Sequence, residues 1–457
     1  MSALRDALRG ALALSGDGDA GLFAPRGRLA FTDLAHRTGL GPARAGLEGR
    51  CVLLRTKAQI GAAQALVELD GLASRIVLCP PDLAAEHLPG VVERAGIEAV
   101  VTDDQALALP GLPVFELAAP SQDAGEPSSQ TRTTQWLMFT SGTTGAPKMV
   151  IHTLAGLTGA IAPRRPDAEP IVWGTFYDIR RYGGLQILLR ALCWGSSMVL
   201  SDAHEPTGAF MARLAAAGVT HQSGTPSHWR WALMNPELRL ISPRYVRLSG
   251  EIADQAVLDS LKAFFPTAAV GHAYASTEAG VGFEVTDGLE GFPASFLDAG
   301  GGVEMKVEDG SLRIRSSRAA SGYAGHDLAL LDADGFVDTG DMVERRGERF
   351  YFAGRRGGVI NVGGLKVHPE EVEAVLNRHP MVRMSLVRAR RNPITGALVA
   401  ADVVLSDEAL GQDERALKAD ILAACRAALP AHKAPANLKF VQSLPVTAGG
   451  KLDRQHA

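Results

Sequence analysis

The chain has 457 residues, of which 46% are hydrophobic and 21% charged, and its 46 Lys and Arg against 50 Asp and Glu give a formal net charge of −4. That length exceeds the size at which a single core divides, so two or more domains are expected, and the near-balanced charge argues against a nucleic-acid partner or a membrane surface. Four scattered cysteines, Cys51, Cys79, Cys193 and Cys425, form no C-x-x-C pair, so no zinc site or disulfide framework is indicated, and a reducing, cytoplasmic location is expected.

Residues 1–14 carry Arg5, Asp6 and Arg9 among apolar positions and read as an amphipathic helix rather than a signal peptide. No uncharged apolar run reaches the ~18 residues that span a bilayer. Residues 62–69 have helical character. Residues 75–79 form a short buried-strand pattern ending at Pro80 and Pro81, and 99–102 form another. This alternation predicts an α/β domain with a largely parallel sheet. A Ser- and Thr-rich loop over 122–135 leads into a buried strand at 136–139. Helix and strand alternate again over 183–200, and a helix at 256–265 precedes a strand and a turn around Tyr274. Between 302 and 352 the pattern becomes short alternating strands, as at 304–307 and 312–315, which predicts a small antiparallel β subdomain.

A domain boundary is placed near 355–358, dividing residues 1–355 from a small C-terminal unit, 356–457. Pro369 opens a helix there, with Glu370, Glu371 and Glu373 at the positive end of its dipole. Val372, Val375 and Leu376 form its apolar stripe, and His379-Pro380 ends it. A strand at 399–405 and a helix at 416–428 complete an α+β unit.

The sharpest chemical signal follows the 136–139 strand. Thr140, Ser141, Gly142, Thr143, Thr144 and Gly145 lead through Ala146-Pro147 to Lys148. Glycines let backbone N–H groups turn toward a polyanion, hydroxyls add donors, and the lysine adds charge. The spacing is not that of a Walker A loop, because Met149 follows the lysine.

This loop resembles the phosphate loop of the adenylate-forming superfamily, which includes acyl- and aryl-CoA synthetases, nonribosomal peptide adenylation domains and luciferases. Further stretches match in order along nearly the whole chain. The resemblance implies a large N-terminal domain of α/β and β subdomains with a small, mobile α+β C-terminal domain. Residues 274–278 resemble the Y-G-S-T-E motif, which implies that Tyr274 stacks on adenine, Thr277 contacts the α-phosphate, and Glu278, with Thr144, holds Mg²⁺. Gly250 and Glu251 match a segment lining the adenine. Asp341 matches the T-G-D aspartate, a ribose-hydroxyl acceptor, and Arg355 the F-x-G-R arginine that contacts the nucleotide. Gly363 and Gly364 match the loop that serves the second half-reaction. Lys451 matches the adenylation lysine of the C-terminal L-P-x-T-x-x-G-K-x-D-R pattern. Where the family has Asp or Lys at its hinge, this chain has Gly357 followed by Gly358.

The implied chemistry is ATP-dependent activation of a carboxylic acid to an acyl-adenylate, with pyrophosphate leaving, then transfer to the thiol of CoA. Delivery to the phosphopantetheine of a separate carrier protein, or to a non-thiol nucleophile, is the alternative. ATP, Mg²⁺ and CoA are the expected cofactors. The acid pocket is expected from Tyr177, Asp178, Gly184, His221, Ser223 and Gly280. Asp178 could hold a substrate amine, and Arg180 or Arg181 a second carboxylate; the alternative is that all three make ion pairs behind the pocket and touch no substrate. A small aromatic or arylpropenoic acid is the first expectation.

Overall fold

The computed structural model describes residues 3–107, 109–123, 132–140, 147–164, 169–326, 328–393, 395–409 and 411–454. The opening helix, Ala3–Ser15, buries Leu4, Leu8 and Ala11 and packs on helix Tyr182–Trp194. The latter is apolar nearly all round, because the opening helix covers one side and the strands Val172–Thr175 and Ser197–Val199 lie beneath it.

Two sheets form the α/β part. The first has seven strands, in the order Gly322–Tyr323, Lys148–Thr153, Gln135–Thr140, Arg75–Leu78, Cys51–Leu54, Ala99–Thr102 and Val114–Glu116. Its middle pairs are parallel, and strands such as Cys51–Leu54 are buried throughout, which is why they read as unbroken apolar runs. The second has eight strands, and its parallel part runs Ala269–Ser276, Tyr245–Ser249, His221–Gly224, Val172–Thr175, Ser197–Val199 and Gly21–Ala24. The predicted antiparallel subdomain is a five-stranded sheet containing Val303–Glu308, Ser311–Ser316, Val337–Arg346 and Arg349–Arg355.

The last hundred residues have their own core. Ile360, Val367, Val372, Leu376, Val387, Val403, Ile421 and Leu438 pack together under the helices Pro369–Asn377 and Glu414–Ala428. The chain is therefore an α/β protein with a large N-terminal and a smaller C-terminal domain. Two details differ from expectation. Gln122 and Asp123, expected in a loop, pair with Arg37 and Thr38. Residues Lys148–Thr153 form a strand antiparallel to Gln135–Thr140, with Lys148 opposite Thr140. That strand was hidden because its polar residues Lys148, His152 and Thr153 break the apolar run.

The two domains meet through an apolar contact. Trp231 and Met234 of the large domain pack against Met384, Leu386, Val404, Leu444 and Leu452. Polar ties surround it: Asn377 donates to Asp254 at 3.1 Å, Arg230 to the Arg383 carbonyl at 3.1 Å, and Arg378 pairs with Glu290 at 2.7 Å.

Candidate active site

Parallel strands direct the following loops, and therefore ligand sites, to their carboxyl ends. At those ends of the second sheet lie Tyr177, Thr225, Gly250, Glu251 and, one strand over, Tyr274. Lys451 comes from the small domain to the same place. Its Cε and Nζ lie 3.3 and 3.7 Å from where a Cβ on Gly250 would stand, and Gly250 has φ +89°. The positive φ favours glycine there, and a Cβ would also crowd the end of the lysine. The lysine's loop is tied down on either side: Thr225 Oγ1 donates to the Gly450 carbonyl at 2.6 Å, and the Leu452 N–H donates to Glu251 at 2.9 Å. Glu251 also accepts from the backbone and hydroxyl of Ser227. Burial pulls the Lys451 ammonium below the usual lysine range, and Glu251 opposes that pull. Arg355, Asp341 and Glu278 act on the same ammonium, so these five charges share one neighbourhood.

Asp341 and Arg355 stand opposite each other on adjacent antiparallel strands, and Arg355 Nε lies 3.0 Å from the carboxylate. The Tyr274 hydroxyl donates to the same carboxylate at 2.6 Å. The Tyr274 ring lies nearly parallel to Phe283 and Phe352, with centroids 5.5 and 5.4 Å away. The loop carrying Thr277 and Glu278 is held by its backbone: His152 Nε2 bonds the Thr277 carbonyl at 2.7 Å, and the Ala320 N–H donates to the Glu278 carbonyl at 2.9 Å. Lys148 Nζ lies 5.5 Å from the centre of the Tyr323 ring, and that phenol feels the Glu278 charge. Thr140 and Lys148 thus stand opposite each other at the two ends of the expected phosphate loop. Ser141, Gly142, Thr143, Thr144 and Gly145 lie outside the described residues.

The residues expected around the acid differ in their surroundings. Tyr177 is buried, and its hydroxyl donates to the Ser249 carbonyl at 2.6 Å. Ser223 is buried, and its hydroxyl has no hydrogen-bond partner among the described residues. Gly184 is a packing glycine, since a Cβ would stand 2.2 Å from the Asp178 carbonyl oxygen, and at Gly280 a Cβ would meet the Arg318 carbonyl at 2.4 Å. Asp178 is not available to a substrate amine, because Arg180 engages both its oxygens. Arg180 also donates to the Thr56 carbonyl at 2.6 Å, and Arg181 pairs with Asp82, so neither arginine waits for a second carboxylate. His221 starts its strand, at the end remote from Gly224 and Thr225, with its ring against Trp173 and Tyr245. The Gly363–Gly364 turn joins strands Ile360–Val362 and Leu365–Val367, with the Gly364 N–H on Asn361 Oδ1 at 2.8 Å.

The AMP-binding enzyme family model matches residues 57–323, and the model for the AMP-binding enzyme C-terminal domain matches 371–451. The first match alone spans more than half of the chain. The chain belongs to the AMP-binding enzyme family. Among its relatives is acyl-coenzyme A synthetase ACSM1, mitochondrial, from Homo sapiens, 25% identical over 91% of this chain and 74% of that protein. Another is 2-succinylbenzoate--CoA ligase from Salmonella typhimurium, 27% identical over 74% of this chain and 73% of that protein. In structure the chain resembles anthranilate CoA ligase AuaEII, crystallised with anthranoyl-AMP, at a TM-score of 0.84 and 20% identity, over 99% of this chain and 95% of that one.

This AMP-binding enzyme has site residues that its motifs did not reveal. His228 stacks on Phe176 at 5.2 Å and meets the Tyr177 ring edge-on at 5.7 Å. Its Nδ1 lies 3.1 Å from the Thr225 N–H, in a capping box that starts the helix Pro226–Leu233. Gly450 rests directly on His228: a Cβ there would stand 1.8 Å from Nε2. The signal available in the sequence was Thr225 followed three residues later by a side chain able to reach back. His152 was also unmarked; it is buried, 1% exposed, and holds the Thr277 carbonyl from the neighbouring sheet. Four free cysteines are present among the described residues, and no helix there is long and apolar enough to cross a membrane.

Proposed function

We propose that this enzyme joins a small carboxylic acid, aromatic or arylpropenoic, to AMP from ATP, releases pyrophosphate, and passes the acyl group to the thiol of CoA in a reducing, cytoplasmic compartment. The observation that carries the reading is Lys451, delivered from the small domain onto Gly250 among Glu251, Asp341, Arg355 and Glu278. A carboxylate attacking a phosphate brings two anions together, and a buried ammonium at their meeting point screens the repulsion that grows as pyrophosphate departs. Lys451 supplies that ammonium, and Lys148 receives the departing charge at the hairpin mouth. Asp341, an acceptor held by Tyr274 and Arg355, takes the ribose hydroxyls.

Among the described residues no three His, Cys, Asp or Glu side chains cluster for a metal. A lone carboxylate suits Mg²⁺, which keeps phosphate oxygens and waters as its other ligands. Glu278 would hold it, and it would supply charge neutralisation for the phosphates. Gly363 and Gly364 belong to the second step, when the small domain turns about residues 356–358.

The test is pyrophosphate release from ATP across a panel of aryl and arylpropenoic acids, followed by addition of CoA. Acid-dependent release with an acyl-CoA product supports the whole reading. An adenylate that CoA cannot discharge assigns the second step to a carrier protein or a non-thiol nucleophile. No acid-dependent release, with no affinity for ATP or AMP, would sink it.

A further inference from the structure

Helix Tyr182–Trp194 covers one face of the second sheet. Successive strand residues point to opposite faces, and the pairing aligns Trp173, His221 and Tyr245 in one row and Ser223 with Arg247 in the next. Arg247 is 6% exposed, and no described residue accepts a hydrogen bond from its guanidinium; its nearest carboxylate, Glu284, stands 3.6 Å away. Arg190 reaches the same face from the helix. Its guanidinium lies 5.9 and 5.3 Å from the ring centres of Trp173 and Trp194, and its buried Nε has no hydrogen-bond partner among the described residues. Glu284 is the carboxylate that both arginines face, and it already accepts a hydrogen bond from the Tyr245 hydroxyl.

Two guanidiniums thus share one half-exposed carboxylate. Burial pulls both below the usual arginine range, Arg190 to about 10 with Arg247 adding to the effect, which reflects cations short of counter-charge. Ser223, beside Arg247 in register, leaves a buried hydroxyl unpaired. Buried groups left in this state are costly unless a partner arrives. Arg247 lies two residues before Ser249, about 7 Å along the strand, and Gly250 beneath Lys451 comes next. The Trp173–His221–Tyr245 row near Arg190 is two residues further back.

We infer that Arg247 and Arg190 bind the far end of the acid substrate, and that this end carries a second anionic group, such as a carboxylate. The inference rests on the adenylation reading. One carboxylate meets Lys451 and reacts, while the other sits in the arginine forks, whose planar donors match it. The ring or short chain between them lies along Arg247 and Ser223. The specificity residues are therefore not Arg180 and Arg181, which Asp178 and Asp82 engage directly, but the two arginines that have only Glu284 between them.

The test measures pyrophosphate release with isophthalate, terephthalate and (4-carboxyphenyl)acetate, each beside its matching mono-amide. Wild-type protein should favour at least one diacid by about 100-fold in kcat/KM, because an unmatched buried cation rejects the neutral end. In Arg247→Gln and Arg190→Gln the diacid-to-amide ratio should fall by roughly tenfold or more, with Arg247→Lys recovering part of it. A wild-type preference for the mono-amides, or variants that lower both members of each pair by one factor, overturns the inference while leaving adenylation standing. Should a variant not fold, the wild-type ratio decides alone. Should no acid release pyrophosphate and ATP not raise the melting temperature, adenylation itself fails, and this inference fails with it.

Discussion

At the scale of single residues, the site turns on how Lys451 is seated. Lys451→Ala should remove adenylation while sparing thiolysis of a supplied acyl-adenylate, because the ammonium acts only as pyrophosphate leaves. Separate assays of the two half-reactions check this, and equal loss of both would count against the role. Gly450 makes a sharper case. Its φ is +70°, and a methyl group would collide with His228. A left-handed alanine costs roughly 1–2 kcal/mol before any clash. Gly450→Ala should therefore lower adenylation by about tenfold or more, with far less effect on thiolysis. Histidine sets the acid limit. Burial, and then Arg190, push His221 down to about 4, and burial alone does the same to His228. The unfolded chain takes up these protons from about pH 6.5 downward, whereas the fold resists them until about 4. Their contribution to stability is full above about pH 6.5 and drains away as the pH falls toward 4. His221→Phe, which keeps the ring among Trp173 and Tyr245, should recover about 1–2 kcal/mol of that acid loss, measured as urea midpoints at pH 7.5 and 4.5. An unchanged gap between the two pH values would refute it.

At the scale of elements, what the sequence disclosed follows from what each element buries. Cys51–Leu54 and Ala99–Thr102 lie inside a covered sheet, so their apolar runs were plain. The helix Pro369–Asn377 announced itself by proline, carboxylates and stripe. Lys148–Thr153 did not, because it begins in the phosphate hairpin and spends His152 on Thr277. Asp341 and Arg355, each picked out by its own motif, touch one another across strands, a pairing that no motif spacing disclosed. The acid pocket was illegible for a physical reason. Asp178, Arg180, Arg190 and Arg247 are all charges beside apolar neighbours in sequence, and only the fold tells which are paired. Asp178 with Arg180 closes on itself within three residues. Arg190 and Arg247, 57 positions apart, meet only because a helix lies across a strand.

At the scale of the whole molecule, the domain orientation bears on the proposed two-step reaction. The interface that seats Lys451 combines the Trp231 and Met234 contact with a charged clasp. In the clasp Asp254 accepts two hydrogen bonds from Arg230 at 2.6 Å and one from Asn377 across the boundary. Arg454, three residues beyond the lysine, is clamped by Glu373 and Glu370 of the small domain, so the loop and its domain move as one body. On the proposed reading, the second half-reaction opens this interface and brings the Gly363–Gly364 turn to the lysine's place. Gly357 bears on that motion. No atom lies within 4 Å of a Cβ built there and its φ is not left-handed, so this orientation does not demand glycine. Its freedom is of use only in another orientation. Asn377→Ala removes one cross-domain bond without touching the nucleotide site, and such bonds contribute about 1 kcal/mol. The closed state should lose a few-fold in population. Adenylation then slows about that much, while thiolysis, which needs the open clasp, holds or quickens. Gly357→Pro should do the reverse, keeping adenylation and stopping transfer, because a fixed φ stiffens the segment that must turn. Stopped-flow measurement of both half-reactions in the two variants separates these outcomes. If Gly357→Pro transfers at the wild-type rate, the turning point lies elsewhere in the chain.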